Sequence, residues 1–487
     1  MPINNTVELV QNLLDQNAEL RAQNAALLEQ LARLNATVEA LNQTIKELRE
    51  QKNKNSRNSS KPPSSDGLKK GTKDKSLREP SGKKQGAQQG HSGTHMVITG
   101  EPDTTQTLIP DACKNCPNWE KCKGTACVGE TRYKVDVKVI QTLDAYESME
   151  VHCPKTNQIL KGAFPSDIKG QIQYGESIAS LIVTLNTVGA VSAKRTQEIL
   201  GSLFDLPIST GTVLKMVSRC AAKVRSVVET IKEHMCNAAK AHFDETGTRV
   251  DGHTRWAHVA SDELFTYLYF SHKRGHAGMT EMDVLPNFHG VAIHDCWASY
   301  WKFDILHAVC CAHLLRELNG VMENHPEQTW APRFKKLLLD MKKAKEDAMA
   351  MDLTSADGHK IQYYDEEYDA IIKTAFSENP MSAREDGKKG RPKKGKVLAL
   401  IERLQKHKGE VCLFLKDFQI DFDNNQAERD LRMIKTKTKV SGCFRTEEGI
   451  RDYLTVMSYI GTARKHGKNA VEAIKNAFMG TPELIFE

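Results

Sequence analysis

Few of the signatures that would place this chain in a membrane or outside the cell are present. No stretch approaches the roughly 20 apolar residues needed to span a bilayer. The opening run MPINNTVELV has no basic stretch followed by an apolar one, so no export signal is expected there. Charge of one sign is also scarce. The formal net charge is only +6 over 487 residues, which by itself does not establish nucleic-acid binding. A disulfide framework is not expected, because the 12 cysteines stand in a long chain without a secretory signal; metal binding or free thiols fit better. These absences point to a soluble, cytosolic protein with no membrane partner. What is present is length and apolar content. At 487 residues, 39% of them hydrophobic, the chain has material for several domains of roughly 100–200 residues with buried cores.

The first segment, 1–52, has the spacing of a leucine zipper. Leu13, Leu20, Leu27, Leu34, Leu41 and Leu48 recur every seventh residue, with Val10, Asn17, Asn24, Leu31, Val38 and Ile45 at the matching a positions. Such a seam is buried only against a second helix, and Asn at a fixes register in a parallel dimer. The plain alternative is a long amphipathic helix packed on its own protein. Residues 53–100 change character. KNKNSRNSSKPPSSDG has almost no apolar residues, and a basic run with Lys69, Lys70, Lys83 and Lys84 follows. Such a segment buries too little to offset the entropy of ordering. It reads as a solvated linker or as an arm that tracks DNA phosphates by releasing counterions.

Residues 101–165 hold Cys113-x-x-Cys116, then Cys122, Cys127 and Cys153. A Cys-x-x-Cys pair is half of a tetrahedral zinc site, since the short turn brings two thiolates to one ion. The other half is ambiguous among the remaining three, and a set of reduced structural cysteines is the plain alternative. Residues 166–236 are helical in pattern. AKRTQEILGSLF, then Leu206-Pro207-Ile208, then STGTVLKMVSRCAAKV give two helices about a short turn, with Ser209 as N-cap of the second. This resembles a helix-turn-helix, in which Ser209, Thr210 and Thr212 would meet DNA.

From 237 the pattern turns to strands. NAAKAHFDETGTRV reads as a strand ending near Asp244, and TRWAHVASDELFTYLYFSH as a hairpin turning at Ser261-Asp262-Glu263. EMDVLPNF reads as a helix, and GVAIHD as a short strand delivering Asp295. Three strands, a helix and a strand, with acids on the first and fourth strands, is the order of an RNase H-like domain. In that fold those two strands are neighbours. A third acid fits in DFDNNQAERDLRMIKTKTKVSG, where N-cap types at Asp423, Asn424 and Asn425 precede a helix carrying Glu428 in its first turns. Three converging carboxylates suit Mg²⁺. His294, beside Asp295, reads either as a packed histidine or as one that orients a water. Between Asp295 and Glu428 lies more chain than the fold needs, with helical runs and the basic loop REDGKKGRPKKGK. This predicts a helical insertion.

At these residues the chain resembles the insertion-sequence 66 family of bacterial transposases. The stretches that carry the likeness are NSRNSSKPPSSDG, GAQQGHSG, FPSDIKGQIQYGESI, ISTGTV, HFDETGTRV, IHDCWASYWKF, CCAHLLREL and DNNQAERDLRMIKTKTKVSG. The resemblance implies an RNase H-like core with an acidic triad at Asp244, Asp295 and Glu428. It implies Mg²⁺ or Mn²⁺ as cofactor, the double-stranded ends of a mobile element as substrate, and small accessory proteins of the same element as partners. It also implies a zinc-finger-like module, although here the segment after Cys116 is longer and the ligand set stays open. A Cys-x-x-His pattern of the family matches Cys310 and His313, with Arg316 following, in a supporting role or as a buried helix start.

The expected architecture is multidomain α/β: a zipper coiled coil at 1–52, a basic linker at 53–100 and a zinc-finger-like β module at 101–165. A helix-turn-helix-like region follows at 166–236. An RNase H-like mixed-sheet core at 237–314 and 396–487 is interrupted by a helical insertion at 315–395. The expected function is a two-metal-ion DNA transposase working as a homodimer or larger assembly. Arg429, Arg432 and Lys435 would neutralise phosphates. The rivals are a non-catalytic DNA-binding protein on a decayed scaffold and a nuclease that cuts without joining.

Overall fold

The computed structural model describes residues 3–55, 57–59, 98–137, 140–380 and 395–486. Lys69, Lys70, Lys83 and Lys84 lie outside the described residues, as does most of the basic loop at 384–396. The chain forms two units, residues 1–70 with 167–487, and residues 71–166.

Helix α1, Ile3–Asn53, is a single helix of 51 residues without proline or glycine to break it. The six leucines at the d positions are 54–61% exposed. The helix is anchored at its C-terminal end, where Glu50 Oε2 lies 2.8 Å from Lys396 Nζ and Glu50 Oε1 lies 3.0 Å from His325 Nε2. The turn after it folds on Asn58. Its side chain accepts the Asn55 N–H at 2.8 Å and donates to Asn53 O at 2.9 Å and Glu323 Oε2 at 2.5 Å. Gly320 leaves room for this turn, since a Cβ there would stand 2.6 Å from Asn58 O.

The unit at 71–166 is thin. Its described elements are the four-residue helices α2 (Asp111–Lys114) and α3 (Trp119–Cys122) and an antiparallel hairpin of β1 (Glu150–Cys153) with β2 (Gln158–Lys161).

The larger unit begins with α4 (Glu176–Asn186), α5 (Ala193–Phe204) and α6 (Thr210–Asn237). Ser192 and Ser209 cap α5 and α6 by accepting the N–H groups of Arg195 and Thr212. On α6, Val213, Met216, Cys220, Val224, Val227, Ile231 and Met235 recur at three- and four-residue spacing, and all are buried. Strands β3 (Lys240–Val250), β4 (His253–Ser261) and β5 (Thr266–Ser271) follow as an antiparallel meander. Then come α7 (His276–Met282), β6 (Val291–His294) and β7 (Leu306–Val309). The sheet order is β5-β4-β3-β6-β7, with β6 parallel to both β3 and β7. The mixed α/β class is therefore as expected. Strand β3 does not end near Asp244, as the sequence suggested, but runs on to Val250. Asp251 and Gly252, both at positive φ, close a two-residue hairpin that lets the whole second half of β3 pair with β4.

Helices α8 (Cys311–Asn324), α9 (Trp330–Met349), α10 (Gly358–Glu378), α11 (Lys396–Lys406), α12 (Lys408–Val411) and α13 (Leu413–Lys416) build a second core. Trp330, Phe334, Tyr368, Ile401 and Phe414 are buried there, together with Ile293 and Val309 from β6 and β7. The helical part therefore extends past 395, and the chain rejoins the sheet near Asp421, whose carboxylate meets Lys240 of β3 at 2.9 Å. Finally α14 (Asn425–Ser441) packs on β3 and β4, α15 (Glu447–Lys465) lies between α6 and β5, and α16 (Ala470–Met479) packs against α4. Among the described residues no helix is long and apolar enough to cross a membrane.

Candidate active site

The parallel neighbours β3 and β6 meet at the centre of the sheet. Lys240 pairs with Val291 and His242 with Ile293. The same offset of 51 residues (291 − 240) relates Asp295 to Asp244 (295 − 244), so the residue that follows β6 stands level with Asp244. Helix α14 packs across β3 and brings Glu428 in its first turn. Asn424, before that turn, is fully buried and ties it down. Its Nδ2 donates to Phe243 O at 2.8 Å, and its Oδ1 lies 2.9 Å from His242 Nδ1. The other ring nitrogen of His242 lies 3.0 Å from Asp421 Oδ2. One strand thus holds the start of the Glu428 helix through residues immediately beside Asp244.

The electrostatics follow from this convergence. Burial, with the nearby carboxylates of Glu245, Asp295 and Glu428, pushes the Asp244 carboxyl well above the usual range. Its Oδ1 accepts the Glu245 N–H at 2.9 Å. Glu245 points to the other face of β3, where it is buried against Tyr300 and Arg274; burial and Asp295 still push its carboxyl up to about 7.

Asp295 is positioned by a turn. Its Oδ1 accepts the Trp297 N–H at 3.0 Å. The flanking His294 is fully buried, and its Nδ1 accepts the Cys296 N–H at 3.1 Å. That nitrogen is therefore unprotonated, and Nε2 donates to His307 Nδ1 at 3.0 Å, whose Nε2 in turn donates to Phe303 O at 3.2 Å. Burial, then His307 and His407, hold the His294 imidazole well below its ordinary pKa. Both ring nitrogens are committed to the protein, so His294 shapes the turn and does not orient a water. It also stabilises Cys296, which stands at φ 67°.

Cys310, His313 and Arg316 lie against Glu428. Cys310 Sγ accepts the Asn424 N–H at 3.1 Å and lies 3.3 Å from His313 Nδ1. Arg316 Nη1 is 3.3 Å from His313 Nε2, and its Nη2 is 3.1 Å from Glu428 Oε1. The thiol thus joins the start of α8 to the start of α14, and Arg316 offsets the Glu428 charge.

Over residues 171–452, more than half of the chain, the sequence matches the model of the Transposase IS66 family. The chain belongs to the IS66 transposase family. Residues 9–97 match a second family, DUF6444, of unknown function. No curated protein matches the chain. The IS66 match contains Asp244, Asp295, Glu428 and the three residues beside Glu428, together with α4, α5 and α6. The five cysteines from Cys113 to Cys153 fall in neither match.

In this IS66 family member the remaining sequence candidates are distributed as follows. Ser209 and Thr210 are exposed at the start of α6, with Thr212 half-buried and its hydroxyl 2.9 Å from Ser209 Oγ. Arg429 and Arg432 are exposed on α14, and Lys435 is half-buried. Cys113, Cys116, Cys122, Cys127 and Cys153 carry free thiols. Among the described residues no group of three or more His, Cys, Asp or Glu side chains stands assembled as a metal cage. Glu245, Arg274, Trp297 and Tyr300 were not singled out from the sequence. The two-residue period of β3 places Glu245 beside Asp244 on the opposite face, but nothing local announces Arg274 as its partner.

Proposed function

We propose that this transposase cuts the ends of a mobile element and joins them to target DNA, using Asp244, Asp295 and Glu428 on an RNase H-like sheet. The observation that carries this reading is the alignment of Asp244 and Asp295 across parallel neighbours, with the Glu428 helix packed over them. The donor set fits a hard divalent cation. Asp244 is a carboxylate among carboxylates, with no cationic side chain bonded to it among the described residues, and oxygen donors of this kind suit Mg²⁺ or Mn²⁺. Asp244 and Asp295 would hold the ions, and Glu428 would complete the set once Arg316 turns to the DNA backbone. Two such ions, when bound, supply activation of a water or DNA 3′-hydroxyl and stabilisation of the leaving oxygen. The chain's own residues orient and neutralise. His294 and Trp297 fix the Asp295 turn, Asn424 and Cys310 fix the Glu428 turn, and Arg429, Arg432 and Lys435 meet phosphates along α14.

The exposed seam of α1 is the surface for a second copy of the chain, since its apolar a and d positions stay exposed among the described residues and Asn17 and Asn24 set the register. Two protomers so paired would hold both element ends. DNA is further gripped by α5 and α6, with Ser209, Thr210 and Thr212, and by the basic arm with Lys69, Lys70, Lys83 and Lys84. Cys113 and Cys116, with two among Cys122, Cys127 and Cys153, are the zinc ligands. The test is cleavage and joining of labelled element-end DNA in Mg²⁺ by wild type and Asp295→Ala. Loss of both reactions with DNA binding retained is expected. A wild type that binds the ends and never cuts, with the element's accessory proteins added, would sink the catalytic reading and leave a DNA-binding protein.

A further inference from the structure

Arg274 follows β5 and is held in an unusual way for a residue on a loop. Its Nε lies 2.9 Å and its Nη2 2.8 Å from Glu245 Oε1. The Glu245 side chain is only 1% exposed, and its second oxygen accepts the Tyr300 hydroxyl at 2.8 Å. The guanidinium carbon stands 4.2 Å from the ring centre of Trp297 and 5.2 Å from that of Trp256. Yet the Arg274 side chain remains 43% exposed. A buried carboxylate and two indoles therefore fix an arginine that still faces solvent.

The place of these contacts matters. Glu245 directly follows Asp244 on β3. Trp297 stands two residues after Asp295, and its N–H is the one bonded to Asp295. Arg274 is thus braced by the neighbours of both strand-borne acids. A planar, permanently charged donor, rigid before it meets its ligand, is suited to a phosphate oxygen and loses little entropy on binding it. From this geometry we infer that Arg274 contacts a DNA phosphate beside the scissile one, and that Trp297 and Glu245 are positioning residues for it. The inference rests on the strand-cleavage reading above and adds to it a specific phosphate clamp.

A purely structural account makes a different claim: Arg274 would exist only to neutralise Glu245. The two separate in a salt titration. Binding of a labelled duplex carrying the element's terminal repeat is measured in Ca²⁺ across a range of salt, for wild type, Arg274→Gln, Arg274→Lys, Glu245→Gln and the double variant Glu245→Gln/Arg274→Gln. Cleavage in Mg²⁺ and thermal melting are followed in parallel. Loss of one phosphate contact lowers the slope of log K against log salt by about 0.9. Arg274→Gln is expected to show that drop, with cleavage reduced about 10- to 100-fold as for a lost charge-assisted hydrogen bond. Arg274→Lys restores the slope in part, and the double variant stays as weak as Arg274→Gln. An unchanged slope in Arg274→Gln, or full recovery of cleavage in the double variant, overturns the inference while leaving the acidic triad intact. A wild type that neither binds nor cuts the duplex overturns both readings together.

Discussion

The three acids and the five cysteines between 113 and 153 are both proposed here as cation ligands, but the fold treats them differently. Asp244 sits in the middle of an 11-residue strand whose neighbours Ala241 and Phe243 are 0% and 2% exposed. Glu428 rides on a helix anchored by a fully buried asparagine. These carboxylates are placed by a core that does not need them. The cysteines stand on two four-residue helices and a short hairpin, and no described residue from 98 to 166 is buried. Among the described residues there is no apolar core here to place the thiols in advance. Oxygen ligands for catalysis benefit from a frame that holds them open. Thiolates of a structural site are brought together by the ion itself.

That contrast predicts its own largest effect. With zinc, the segment 101–165 should pass from protease-sensitive to protected, since structural zinc contributes about 10–16 kcal/mol of apparent folding free energy in small modules. A chelator should reverse this and leave melting of the sheet unit unchanged. Limited proteolysis with and without chelator, read beside zinc content, makes the check. Equal protection in both conditions would mean that the cysteines are not organised by metal.

The acids should behave in the opposite sense. Burial and like charges raise the Asp244 carboxyl, so its ionised form opposes folding. Asp244→Asn removes that charge and keeps an oxygen to accept the Glu245 N–H. It should abolish cleavage, by about 4 kcal/mol or roughly 1000-fold, while thermal stability holds or rises. A clear fall in melting temperature would show that Asp244 is a structural residue. This trade of stability for charge density is expected of a catalytic pocket and not of an ordinary buried acid.

How much of this was legible beforehand depends on the range of the interaction. Asp244 and Asp295 stood out because each lies within or just after an apolar strand run, and Glu428 because N-cap residues precede its helix; such signals report local structure. The hairpin through Asp251-Gly252 carried its signal as well, although the strand before it was first read as too short. What sequence could not reveal was the partnership of distant segments. Arg274 meets Glu245, Asn424 meets Phe243, and Cys310 meets the start of α14, and each pair is set by tertiary packing. The turn at Asn58 is of the same kind. NSRNSS has linker composition, but its asparagines fold on one another and against Gly320, so part of a polar run is ordered where a surface receives it. Helices α11–α13 continue the helical region past 395, because Leu400, Ile401, Leu404, Phe414 and Leu415 are buried in the second core.

His294 tests whether the frame around Asp295 matters beyond stability. His294→Ala strips the acceptor from the Cys296 N–H, although Cys296 is only 5% exposed, and removes a ring stacked 4.4 Å from Tyr300. The loss should be about 2–4 kcal/mol in chemical denaturation. Cleavage measured well below the melting temperature should fall as well, because the Asp295 turn loosens. Asn at this position, which keeps an acceptor, should recover part of the activity. Full activity in a destabilised His294→Ala enzyme would confine the histidine to folding.

The smallest effect concerns the joint between the two cores. Burial works to raise the Asp421 carboxyl, but hydrogen bonds from His242 and Lys240 outweigh it and hold the group at about 2. A carboxyl depressed in the folded state adds stability that is complete above its unfolded value near 3.8 and is lost as pH falls from there toward about 2. The side chain is 45% exposed, so screening limits the contribution to about 1 kcal/mol or less. Asp421→Asn should therefore lower the denaturation midpoint slightly near neutral pH, and its deficit against wild type should close as the solution is acidified. A deficit that stays constant through that range would place the role of Asp421 in geometry alone. The attachment of the Glu428 helix to β3 would then rest on Asn424 and Cys310, not on the ion pair.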